Sequence, residues 1–84
     1  MKLNKQFDKA RQARLDEKSK EYDGKDNPKN YKNMSNYELS RLIKKDADEL
    51  LHEGLTNPDN FTAKKLCCDI SNRCQMLWER LGEK

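Results

Sequence analysis

The chain has 84 residues, 39% of them charged and only 33% hydrophobic, with a formal net charge of +3. That length holds one domain at most, and a core so small is marginal without further cover. The N-terminus has no apolar run and no stretch approaches membrane-spanning length, so the expectation is a cytoplasmic protein with no signal peptide and no membrane partner.

Residues 3–22 are mostly good helix formers without Gly or Pro. Leu3, Phe7 and Ala10 share one face at i, i+4 and i+7, so this helix is expected to pack mainly near its start. Residues 23–33 contain the turn signals Asp23-Gly24 and Asn27-Pro28 and read as a loop, with Tyr31 as its anchor. Residues 1–33 hold ten Lys/Arg against six Asp/Glu, and the remainder holds eight against nine. A basic helix and loop over 1–33 therefore precede a helical-hairpin core over 34–84, all in one domain.

Ser35-Asn36-Tyr37-Glu38 is a capping box, with Met34 and Leu39 placed as a hydrophobic staple. It predicts a helix over 36–53, stopped by Gly54. Rotating about 100° per residue places Leu39, Ile43, Ala47, Leu50 and Leu51 on an apolar arc. Asp46 falls inside that stripe, Glu49 and Glu53 lie at its edge, and Asp48 points to solvent. A carboxylate turned towards a core is costly unless it is paired or bound to a cation. Thr56-Asn57-Pro58 then turns the chain, with Asn57 as N-cap and Pro58 opening a last helix over 59–81.

That helix is expected to bury Ala63, Leu66, Cys67, Ile70, Cys74, Leu77, Trp78 and Leu81, with Asp69, Asn72, Arg73 and Met76 on one flank and Cys68 facing away. The short connection makes the two helices antiparallel and brings Asp69 within about one turn of the level of Asp46. The fold class is thus all-α: a small antiparallel hairpin or bundle with an additional N-terminal helix, completed by homo-oligomerisation. The three cysteines include no CxxC, and His52 stands at no zinc-type spacing from them, which argues against structural zinc or a disulfide framework.

Asp46 and Glu49 at i, i+3, with Asp69 from the neighbouring helix, form an oxygen set suited to Mg2+. The competing reading leaves these acids solvated, with Asp69 paired to Arg73 at i+4. The segments Asp46-Ala47-Asp48-Glu49-Leu50 and Leu66-Cys67-Cys68-Asp69-Ile70-Ser71-Asn72, followed by Met76-Leu77, resemble the ExxE and ExxD helices of the MazG-like, all-α nucleoside triphosphate pyrophosphohydrolases, notably the short phage-type members. The resemblance covers 39–81. It departs from the family at Leu66, which stands where a glutamate is usual, and at Asp46, a shorter acid.

The resemblance implies hydrolysis of a nucleoside triphosphate to monophosphate and pyrophosphate. Asp46, Glu49 and Asp69 would hold Mg2+, Glu53 would orient water, and Lys18, Lys20 or Lys25 would contact phosphates. With the motif degenerate, the alternative is a non-enzymatic helical protein that binds and inhibits or regulates a host or defence protein. Nucleic-acid binding through 1–33 ranks third, because the basic residues are not densely clustered.

Overall fold

The computed structural model describes residues 1–56 and 58–82. Its elements are α1 (Lys5–Tyr22), a 3-10 turn (Tyr31–Asn33), α2 (Asn36–Glu49), a π turn (Leu50–Gly54) and α3 (Phe61–Leu81). All described elements are helical. α2 and α3 form the expected hairpin, and α1 lies along α3.

Asn4 caps α1, its side-chain oxygen accepting from the backbone N–H of Gln6 at 2.8 Å and of Phe7 at 3.0 Å. α1 buries no residue. The expected packing through its start is not found: Leu3 is 92% exposed, and Phe7 and Ala10 also face solvent. Contact is made instead from Arg11 onward, through Arg11, Arg14, Leu15, Lys18 and Tyr22, all half-buried. These positions recur at helical spacing. The drifting apolar stripe lost to a polar one because the surface α1 meets on α3 is itself polar.

Three asparagines hold the loop between α1 and α2. The side-chain amides of Asn27, Asn30 and Asn33 donate to the carbonyls of Glu21, Gly24 and Lys25 respectively, at 2.8 to 3.0 Å. Asparagine suits this work because its short amide reaches the nearby backbone. Arg80, in the last turn of α3, donates to the carbonyls of Tyr31 and Met34 and to Asn36 Oδ1. The loop is thereby tied to the far end of the hairpin.

Ser35 caps α2 as its sequence demands, with Oγ accepting from the backbone N–H of Glu38 at 3.0 Å. α2 turns Leu39 and Asp46 inward, and Leu39, at 1% exposure, is the one fully buried large side chain among the described residues. The helix then widens into the π turn rather than running unbroken to 53. Gly54 does not act as a left-handed stop. A Cβ at Gly54 would meet Ala63 Cα and Leu66 Cδ1 at 3.2 Å and Leu50 Cδ1 at 3.3 Å, so glycine is needed there for close helix approach.

The expected Asn57 cap lies outside the described residues. α3 begins two residues later than expected, at Phe61. Asn60 precedes it at φ 58°, a left-handed conformation that asparagine tolerates better than most side chains. Asp59 Oδ1 accepts from the Phe61 N–H at 2.9 Å.

α3 is rotated relative to expectation. Ala63 and Leu66 are buried as predicted, but Cys68 and Asn72 are buried too, whereas Cys67, Cys74, Trp78 and Leu81 are exposed. The helix meets α1 through its polar flank, where Arg11 and Arg14 supply partners, and meets the α2 side through Ala63, Leu66 and the Asp46–Arg73 pair. Part of the apolar sector, Cys67, Cys74, Trp78 and Leu81, is left outward.

Gly54→Ala would gain about 1 kcal/mol of helix propensity and lose about 1–3 kcal/mol to overpacking against the α3 backbone. The expected result is a lower urea midpoint for the alanine variant. A raised midpoint would show that α3 gives way by the few tenths of an ångström that the added methyl needs.

Candidate functional site

The site grows from one face of α3. Asp69, Asn72, Arg73 and Met76, at i, i+3, i+4 and i+7, lie between α1 and α2. From α1, the Arg14 guanidinium grips Asp69 with both ends of its fork, Nε to Oδ1 at 2.8 Å and Nη2 to Oδ2 at 3.2 Å. Both side chains are only 15% exposed. One turn away, Arg11 Nε donates to Asn72 Oδ1 at 3.1 Å, and Asn72 Nδ2 donates back to the Arg11 carbonyl at 3.1 Å.

From α2, Asp46 meets Arg73. Arg73 Nε lies 2.9 Å from Asp46 Oδ2, yet this oxygen is buried and has no aligned hydrogen bond. The contact is one of charge more than of directed bonding. Burial pushes the Asp46 carboxyl above its ordinary value; Arg73 opposes the rise, and the negative charges of Asp69 and Glu49 add to it. The three acids singled out from sequence therefore share one electrostatic neighbourhood. Arg14 is held more firmly protonated than usual, chiefly by its hydrogen bond to Asp69.

A cavity of about 280 Å³ opens between α1, the loop and α3. Arg14, Lys18, Tyr31, Asp69, Asn72 and Arg73 are on its wall. Lys18 reaches the Tyr22 hydroxyl at 3.3 Å and lies 5.3 Å from the centre of that ring. The cavity is near the lower end of the size range of small-molecule sites. It combines guanidinium, ammonium, amide and phenol groups.

Of the residues expected to act together, Lys18 and Asp69 line this cavity, and Asp46 sits behind it against Arg73. Glu49 is half-buried and borders a separate, more open depression with Glu38, Arg41 and Lys45. Lys20 and Lys25 are exposed and line neither hollow. Glu53 is exposed in the π turn, where its carbonyl accepts from Thr56 Oγ1 at 2.9 Å. Asp69 pairs with Arg14 rather than with Arg73 at i+4.

The carboxylates, as arranged, do not fit Mg2+. Both oxygens of Asp69 are taken by Arg14, and Asp46 lies under Arg73. Among the described residues, no group of three or more His, Cys, Asp or Glu side chains is placed to hold a metal ion. Two guanidinium groups supply the positive charge beside these acids.

Sequence reasoning passed over Arg11 and Arg14, and it placed Asn72 on the Asp69 flank without a partner. A signal was present: Arg11, Arg14, Lys18 and Tyr22 form a polar stripe at i, i+3, i+7 and i+11. Comparison with models of protein families finds no match, and comparisons with curated proteins and with solved structures find none either. The fold and site define a three-helix, all-α protein with an arginine-compensated acidic centre.

Removing Arg14 leaves the largely buried Asp69 without its fork. Arg14→Ala is expected to cost about 2–3 kcal/mol, and Arg14→Lys to recover less than half, because an ammonium cannot bond both oxygens in one plane. Denaturant unfolding reads both, and a loss below about 0.5 kcal/mol would mean that the pair is not holding α1.

Asp46 gives a pH test. With its folded value above the ordinary 3.8, the folded state binds the proton first on acidification, so this group adds stability as the pH falls from neutral towards 3.8. Asp46→Asn should remove that increment, leaving a stability-against-pH curve with less gain on the acid side. Identical curve shapes for variant and wild type would contradict the burial argument.

Proposed function

We propose that this chain is a MazG-like nucleoside triphosphate-binding protein with a degenerate hydrolytic site, working as a homo-oligomer. The observation that carries the reading is the cavity where Lys18 and Asp69 meet Arg14, Arg73 and Tyr31. Cations there suit phosphate oxygens, and a phenol ring suits a base or sugar face. The substitutions at Leu66 and Asp46 reduce carboxylate reach, and Arg14 and Arg73 occupy the remaining acids. Binding is thus better supported than turnover.

A second reading is favoured by a different observation. α1 buries no residue, and Lys5, Lys9 and Lys20 along it are exposed. That surface suits an acidic host or defence protein that the chain would inhibit or regulate. A stoichiometric partner recovered from host lysate, and lost on reversing these three charges, would support it over the first.

Calorimetric titration of the full chain with a non-hydrolysable nucleoside triphosphate tests the first reading. Lys18→Ala is expected to weaken binding about tenfold, while Lys20→Ala leaves it unchanged. Absence of binding, or an unaffected Lys18→Ala variant, would overturn it. Pyrophosphate release that needs Mg2+ and is abolished by Asp69→Asn and Glu49→Gln would instead establish an active enzyme.

A further inference from the structure

α2 and α3 leave their apolar sectors uncovered on a common side. On α3, Cys74 and Trp78 are exposed and Ile70 and Leu77 are only half-buried. On α2, Ala47 and Leu51 are exposed and Ile43 is half-buried. At about 100° per residue, Trp78 lies roughly half a turn round α3 from Asp69, which α1 covers. In an antiparallel pair, sectors displaced in the same rotational sense from the contact line fall on the same side of the hairpin. The exposed sectors of both helices are displaced in that sense, so they form one two-helix face opposite α1.

This face is extensive. Trp78 is 74% exposed, Leu51 61% and Leu81 58%. With the neighbouring small and half-buried side chains, it offers apolar area on the order of 600 Å² per copy, most of the about 800 Å² that each partner contributes to a standard stable interface. The deficit inside the chain matches it. Leu39, Ala63, Leu66 and Cys68 are the buried apolar residues among those described. A core of this size needs permanent cover.

We propose that a second copy of this chain covers the face, the two α2–α3 hairpins closing into a four-helix core with α1 of each copy outside. A twofold arrangement lets the same patch serve both sides, and its central side chains, Ala47, Leu51, Cys74 and Trp78, are uncharged and pair with themselves without like-charge repulsion. The cavity beside α1 stays open to solvent in this assembly, since it lies across α3 from the interface. The inference rests on the homo-oligomer reading above and is independent of nucleotide binding.

Sedimentation equilibrium of the full chain tests it, with iodide quenching of Trp78 over the same concentration range. The expected result is a dimer mass with Trp78 shielded from iodide, shielding being lost on dilution. Trp78→Glu and Leu51→Glu should each weaken dimerisation by at least about tenfold, while Leu3→Glu, at the outer end of α1, leaves it unchanged. A monomer with freely quenched Trp78 at every concentration would overturn the homo-oligomer reading and the face together. A dimer that survives both glutamate variants, or whose Trp78 stays fully quenchable, would overturn the face alone. The quenching arm uses the unmodified chain, so it stands even where a variant fails to fold.

Discussion

The forked contact between Arg14 and Asp69 determines how the three helices sit. α1 contributes no fully buried residue, and of its apolar side chains only Leu15 and Tyr22 are half-buried, so apolar packing alone holds it weakly. What fixes it is a guanidinium meeting both carboxylate oxygens with each side chain largely out of water, backed by the reciprocal Arg11–Asn72 bonds one turn away. Such a contact is directional, so it sets rotation as well as proximity. Once α3 turns Asp69 and Asn72 towards α1, its apolar sector must turn away. The position of the cavity and the exposure of Trp78 both follow from that one rotation.

Much of the fold was legible because its determinants are local. Ser35 and Glu38 announce the start of α2, and Gly24, Asn27 and Pro28 announce the loop. The placement of Asp46 inside an apolar stripe correctly marked it as inward-facing. The rotation of α3 was not legible, since its strongest apolar arc contains Cys67, Cys74 and Trp78, and wheel arithmetic assumes that the best arc packs within the chain. Nothing local distinguishes Cys68 from Cys67. The partner that decides the matter, Arg14, is 55 residues away from Asp69 in sequence. The π turn was equally hidden, because nothing local in Leu50–Gly54 marks it, and the close approach of Gly54 to Ala63 comes from across the hairpin.

The acidic centre was half legible. Asp46, Glu49 and Asp69 do come close enough for the latter two to raise the Asp46 proton affinity. What the sequence concealed was the source of the compensating charge. A site read as waiting for a cation already contains two, both on arginine side chains. Guanidinium groups tethered to α1 and α3 offset the charge of Asp69 and Asp46 where the three helices meet. This arrangement also leaves the oxygens of Asp69 engaged by Arg14 and one oxygen of Asp46 beside Arg73.

The adjacent thiols of α3 experience opposite environments: Cys68 is buried while Cys67 and Cys74 are exposed. Cys68 lies one turn before Asn72, which exchanges hydrogen bonds with Arg11, so Cys68 is on the side of α3 that faces the N-terminal helix. In one isolated copy, an alkylating reagent would meet two sulfurs while α1 is seated and three once it lifts. The chain thus contains a native chemical counter for detachment of its own first helix, needing no introduced label.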